Sequence, residues 1–233
     1  MTLEHGYWPP LIRGPFTVEK LLRSEELGML WYDFNLNSDF NEEAVAGTGT
    51  TAIAPRFVQV SSGATAAGTA ARRQSEPSLG WSLGKANGVI NWSKRVVIVV
   101  RFRAPGMSAN GITRVLFGPA DADGVKALDD KGIGFECRTA AEDIFTSVHS
   151  GSALSSVDST QNASGNVQDM TIISDGAGNV SFYLDGVFLR TDTGGPTGDS
   201  TASHCTLNIQ ADNGVDNTNN ELQVFGVKVG IAQ

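Results

Sequence analysis

Three adjacent carboxylate pairs, Glu42-Glu43, Asp129-Asp130 and Glu142-Asp143, are the first residues in this chain that invite acid–base chemistry. Cleaving a glycosidic bond with retention needs two carboxyl groups about 5–5.5 Å apart, one protonating the leaving oxygen and one attacking. Adjacent residues of a strand point to opposite faces, so none of these pairs meets that demand from an extended segment. They read as solvated turn residues. Nucleophilic catalysis is no better served: there is no Gly-x-Ser-x-Gly elbow, and Cys137 has no recognisable His and Asn partners. No Walker-type loop occurs, and Gly47-Thr48-Gly49 reads as a turn. Neither cysteine has zinc-site spacing. Cys137 and Cys205 each share strand parity with an apolar neighbour, Phe135 and Leu207, which predicts buried thiols. A disulfide between them stays open, since both would face one core.

Binding chemistry finds more material. Calcium takes about six to eight oxygens, and Asp212, Asn213 and Asp216 offer them within one polar loop, as do Asp121, Asp123, Asp129 and Asp130 elsewhere. The same residues also make ordinary polar turns, and no other cofactor is implied. A sugar stacks on an aromatic ring flanked by polar groups. Trp81 and Trp92 flank a Gly- and Asn-rich segment and would supply such a glycan platform, although the same rings suit a sandwich core or an interface.

These groups need a scaffold, and from Trp31 onward the chain offers short alternating runs broken by Gly, Asn, Asp, Ser and Thr. That rhythm predicts an all-β, antiparallel sandwich. Arg95 to Arg103 has Val96, Ile98, Val100 and Phe102 on one face and Val97, Val99, Arg101 and Arg103 on the other, the pattern of a central strand. Further strands are expected at Ile112 to Phe117, Gly132 to Arg138, Ile144 to Ser150, Cys205 to Gln210 and Glu221 to Ile231. Residues 151–166 read as a long exposed loop or a weak edge strand. The sharpest signal runs from Asp169 to Arg190. There two hairpins turn at Asp175-Gly176-Ala177-Gly178-Asn179 and at Asp185-Gly186, the second a pair suited to a type I′ turn.

Residues 1–30 differ from the rest and read as an N-terminal arm carrying one short helix, Thr17 to Leu27, capped by Thr17 and ended by Gly28. Val18, Leu21 and Leu22 fall at helical spacing before Glu25 interrupts the stripe. A helix this short needs something to dock on. One domain, residues 31–233, follows it.

With 40% hydrophobic and 18% charged residues the chain has the material for a core. A net charge of -8 argues against a nucleic-acid partner, which is held by clustered Lys and Arg. The pairs Arg72-Arg73 and Lys94-Arg95 read as solvated strand ends. No stretch reaches the roughly 18 apolar residues of a membrane helix, and the first thirty residues lack the pattern of an export leader, so a soluble, unprocessed chain is expected.

The hairpin Gly178-Asn-Val-Ser-Phe-Tyr-Leu-Asp-Gly-Val187, the preceding Met-Thr-Ile-Ile strand and the terminal strand Leu222 to Ile231 resemble the concanavalin A-like lectin/glucanase superfamily, laminin-G-like domains included. Trp31-Tyr32-Asp33-Phe34 and the stretch Gly63 to Ala70 are similar to the opening strands of such domains in tailed-bacteriophage virion proteins. The resemblance implies a jelly roll over residues 31–233. It does not fix an activity, because the superfamily holds binding modules, hydrolases, lyases and structural domains. Its glucanases carry Glu-x-Asp-x-x-Glu or a close variant on one strand, and no such run is present. Its lyases carry an Arg-rich strand and a Gln-x-His strand. Arg72-Arg73-Gln74-Ser75-Glu76 is similar to the first, the second is missing, His5 sits in the arm, and His149 and His204 have no Tyr close by.

The expectation is therefore a non-enzymatic phage virion surface protein, a capsid decoration or accessory structural protein assembled in the host cytoplasm. It would dock on capsid or other virion proteins through arm residues Tyr7, Trp8, Pro9, Pro10, Leu11, Phe16, Leu21 and Leu22, and form a symmetric homo-oligomer. The alternative is a carbohydrate-binding module for host or glycan adsorption, and a third reading is a polysaccharide hydrolase or lyase.

Overall fold

The computed structural model describes residues 29–33, 42–64, 69–73, 91–118, 128, 130–198, 207–216 and 218–232. The strands are β1 (Met29–Asp33), β2 (Glu42–Ala46), β3 (Thr50–Ala54), β4 (Phe57–Ser61), β5 (Thr69–Arg73), β6 (Val96–Arg103), β7 (Ile112–Phe117) and β8 (Gly132–Arg138). They continue as β9 (Asp143–His149), β10 (Leu154–Asn162), β11 (Gln168–Ser174), β12 (Asn179–Leu184), β13 (Val187–Thr193), β14 (Leu207–Asp212) and β15 (Glu221–Ala232). All pair antiparallel. Eight form a sheet in the order β13-β12-β11-β6-β15-β4-β3, with β1 also on β15, and seven form a second sheet in the order β10-β9-β8-β7-β14-β5-β2. The expected antiparallel sandwich is the fold. Strand β1 begins at Met29, two residues inside the stretch read as arm, and the expected helix lies outside the described residues.

Alternation explains the layering. Val96, Ile98, Val100 and Phe102 of β6 enter the core, as do Val115 and Phe117 of β7, Ile133, Phe135 and Cys137 of β8, and Leu207, Ile209 and Ala211 of β14. Burying these side chains between two sheets is the main driving force, at about 25 cal/mol per Å² of apolar surface. Strand β6 lies at the middle of its sheet, between β11 and β15, as its apolar run on both faces predicts. Segment 151–166 resolves as the edge strand β10, mostly exposed and polar, a composition that discourages pairing with other chains.

The hairpins form where the turn residues place them. Asp185 (φ 49) and Gly186 (φ 79) both sit at positive φ, as a type I′ turn requires. At the other turn Asp175 Oδ1 accepts from Ala177 N (2.7 Å) and Asn179 N (3.0 Å), while Oδ2 accepts from Asn179 Nδ2 (2.6 Å). Burial works to raise the Asp175 carboxyl, but these donors outweigh it and hold the group below the usual carboxylate range. A Cβ on Gly176 would lie 2.6 Å from Ser93 O, so only glycine lets the turn pass there. Edge strand β13 is tied to β9 of the other sheet by its buried Asp192, which accepts from Thr146 Oγ1 (2.5 Å) and from Arg190 Nε of its own strand (2.6 Å).

Candidate functional site

With Val115, Phe135 and Ile209 turned inward, the intervening residues of β7, β8 and β14 line the outward face of the seven-stranded sheet. Register then places Gln210 of β14, Arg114 of β7, Glu136 of β8, Phe145 of β9 and Asp158 of β10 side by side across five strands. Flanking rows on the same face hold Asn208, Leu116, Gly134, Ser147 and Ser156 on one side and Asp212, Ile112, Arg138 and Asp143 on the other. Neighbouring strands are about 4.8 Å apart, so a row of this kind is a contiguous surface.

Charge concentrates at its centre. Glu136, 1% exposed, lies between two arginines. Its Oε1 is 3.2 Å from Arg114 Nε, and its Oε2 accepts from Arg138 Nε at 2.6 Å. Arg138 Nη2 donates to Ser156 Oγ (3.0 Å), and Ser147 Oγ donates to Glu136 Oε1 (3.4 Å). The Arg138 guanidinium carbon stands 4.3 Å above the centre of the Phe145 ring, a cation–π contact. Among the described residues, Arg114 Nε and Nη1 and Gln210 Oε1 are buried with no hydrogen-bond partner, the Arg114 Nε contact to Glu136 being an ion pair. The face grades outward from this closed centre: Arg138, Phe145 and Ser156 are half-buried and Asp158 is exposed. Such an array offers fixed donors and acceptors beside an aromatic ring.

The groups singled out by sequence are distributed otherwise. Trp92 is 1% exposed and belongs to the core, so it offers no ring to a ligand; its glycan-platform reading is corrected, because the strand-entry turn drives the indole between the sheets. Trp81 lies outside the described residues, as do arm residues Tyr7, Trp8, Pro9, Pro10, Leu11, Phe16, Leu21 and Leu22, together with Asp121, Asp123, Asp129, His204 and Cys205. Of the calcium candidates, Asp216 accepts from Asn110 N (2.8 Å) and Asn110 Nδ2 (2.9 Å), which holds its carboxyl below the usual range. Asp212 Oδ1 accepts from Gly214 N (2.7 Å), and Asn213 Nδ2 donates to Gly63 O (3.3 Å). Asp212 caps its own turn while Asn213 and Asp216 tie the loop to Gly63 and Asn110, and among the described residues no three His, Cys, Asp or Glu side chains gather as a metal site. His149 Nδ1 accepts from Gly151 N (3.0 Å), a local loop contact.

Cys137 is a buried free thiol whose pKa burial pushes up to about 12. Iodoacetamide at pH 8 is expected to leave Cys137 unmodified in the native protein and to alkylate it on unfolding, as read by peptide mapping. The unfolded thiol releases its proton near 9.0 while the folded one keeps it, so this group lowers stability as pH rises above about 9.

Sequence reasoning passed over Arg114, Glu136, Arg138 and Phe145. Strand parity turns the first three away from the core, but only pairing register shows that they adjoin.

No family model and no curated protein sequence matches this chain. In fold it is similar to the endo-β-1,4-glucuronan lyase of the fungus Trichoderma reesei, with TM-score 0.54 and 12% identity over 86% of this chain and 94% of that one. It is similar as well to the carbohydrate recognition domain of Emp47p, with TM-score 0.50 and 11% identity over 84% of this chain and 96% of that one. The binding domain of botulinum neurotoxin serotype G matches with TM-score 0.50 and 12% identity over 82% of this chain. The chain spans only 44% of that toxin domain's length. These likenesses place the fold among the jelly-roll, lectin-like sandwiches.

Proposed function

We propose that this chain is a non-catalytic carbohydrate-binding domain whose ligand lies across β8, β9 and β10 on the outward face of the seven-stranded sheet. The observation that carries the reading is Arg138, fixed by Glu136 and Ser156 and stacked on Phe145 at the point where the polar face opens to solvent. A saccharide needs directional donors beside an apolar plate, and a guanidinium already locked in one rotamer loses little entropy on binding. Two of the similar folds act on saccharides by their names, one recognising carbohydrate and one cleaving glucuronan. Against turnover stands the state of the carboxylates. Glu136 is engaged through both oxygens, Asp143 Oδ2 accepts from Thr139 Oγ1 (2.8 Å), and Asp158 Oδ1 accepts from Thr160 N (2.7 Å). A glycosidase acid and base need freer groups facing one bond. The virion setting expected from Trp31 to Phe34 and Gly63 to Ala70, and the capsid docking expected of the arm, involve none of the glycan-facing groups.

A glycan array and titration with wild type, Arg138→Ala and Phe145→Ala test this. Wild type is expected to bind at least one saccharide class, and each variant to lose about tenfold or more in affinity, the worth of one charge-assisted hydrogen bond. Wild-type affinity retained in both variants overturns the site, silence on every glycan overturns the binding role, and product release from a bound polysaccharide overturns the non-catalytic assignment.

A further inference from the structure

The outward face of β9 continues past the residues that carry the glycan reading. Ile144 and Val148 enter the core, so Phe145, Ser147 and His149 share the outward face, two residues apart. At about 3.4 Å per residue, Phe145 and His149 stand about 14 Å from each other. Register gives this row two flanks. Asp158, Ser156 and Leu154 of β10 lie opposite Phe145, Ser147 and His149, and Glu136, Gly134 and Gly132 of β8 lie on the other side. The two glycines raise no side chain, and leucines lean into their space instead: a Cβ on Gly134 would meet Leu116 Cδ2 at 2.8 Å, and one on Gly132 would meet Leu128 Cδ2 at 2.7 Å. Leu154 is 40% exposed, so the row opens to solvent at its His149 end.

His149 is held in one state there. It is 7% exposed, and its Nδ1 accepts from Gly151 N at 3.0 Å. A ring nitrogen that accepts carries no proton, so the neutral imidazole bears its proton on Nε2 as a donor. Among the described residues nothing accepts from that Nε2–H. The middle of the row repeats the situation. Ser156 Oγ accepts from Arg138 Nη2 (3.0 Å) and from Ser147 Oγ (3.4 Å), and among the described residues its own proton has no acceptor. Donors on side chains as buried as His149 are costly to leave unmade, and folded proteins complete them with a water or a ligand. Both donors stand in the row that starts at the Phe145 ring, so what completes them there is a chain of acceptor oxygens.

We propose that His149 Nε2–H donates to an oxygen of the bound saccharide, so that the ligand is an oligosaccharide lying along β9 from the Phe145 ring to Leu154 and not a single terminal sugar. This rests on the glycan reading of the face and adds to it a length and a second anchor. Phe145 and Arg138 seat one end, the Ser156 hydroxyl meets the middle, and His149 with Leu154 seats the far end.

The test titrates the full chain, as wild type, His149→Asn and His149→Gln, with di-, tri- and tetrasaccharides of the class that wild type binds on the array. Asparagine keeps an acceptor for Gly151 N but has nothing at the Nε2 position, and glutamine returns an N–H there. Wild-type affinity is expected to rise with length. His149→Asn is expected to lose about three- to tenfold on the tetrasaccharide and nothing on the disaccharide, with His149→Gln within about twofold of wild type, as one neutral hydrogen bond requires. His149→Asn that matches wild type on every length, or a wild-type affinity that does not depend on length, overturns the extension and leaves the Arg138 and Phe145 site standing. An equal loss on every length assigns His149 to loop structure alone and overturns the extension as well. Silence of wild type on every glycan overturns both readings together.

Discussion

Replacing Glu136 with alanine is expected to lower the unfolding free energy by about 3–5 kcal/mol, because it strands two arginines whose counter-charge sits between them. For a domain of this size that is a fall of roughly 6–20 °C in melting temperature. The magnitude follows from burial: Glu136 is 1% exposed and the Arg114 side chain 9%, so neither charge is solvated enough to survive alone. Arg138, with 30% of its side chain exposed, can turn to water, so most of the penalty falls on Arg114. Glu136→Gln keeps the shape and some hydrogen bonding and should cost less. Changing the buried pair together, Arg114→Met with Glu136→Leu, should recover most of the loss, since well-packed apolar groups replace a buried pair at little cost. Urea denaturation of the three variants decides the matter. A double variant as unstable as Glu136→Ala would mean that the charges are not what the site depends on. A network retained on an outward sheet face, when apolar packing would serve stability as well, is consistent with a binding role for that face.

The second large effect lies directly beneath. Phe102 of β6 and Phe135 of β8 come from opposite sheets and meet with ring centroids 4.7 Å apart at 53°. Both are buried, at 0% and 1%. Phe135→Ala should cost about 3–5 kcal/mol, combining lost apolar transfer with a cavity that two stiff sheets cannot collapse around. A double-mutant cycle with Phe102→Ala should return a coupling of about 0.5–1.5 kcal/mol for the ring pair. The denaturation midpoint should fall at unchanged slope. Full additivity would show that the rings do not act on each other, and a loss under about 1 kcal/mol would show that the core closes around the gap. Phe135→Ala is also a control for the glycan experiment, because it weakens the scaffold without touching Arg138 or Phe145.

Residues 168–193 show how much was legible in the sequence. Asp185-Gly186 announces its own turn because both residues must take positive φ, and the alternation Val180, Phe182, Leu184 needs nothing beyond a sheet to bury it. The same holds for β6, β7 and β8, whose apolar parity is readable one strand at a time. Metal-like loops were harder. Asp212 and Asp216 have the right oxygens, but the Gly214 amide takes the first and Asn110 the second.

What the sequence determined by itself was therefore local: strand positions, turn chemistry, which face of each strand is apolar, and the absence of the usual catalytic spacings. What only tertiary structure decided was adjacency between strands far apart in the chain. Gln210, Arg114 and Glu136 fall in one row because β14, β7 and β8 pair in one register, and Arg138 meets Ser156 across two strand steps. Trp92 turned inward for a similar reason, since the course of the turn before β6 is set by the sheets it joins. A side chain's parity is written in its own segment, but its neighbours depend on pairings whose entropic cost is met only when the whole sandwich closes.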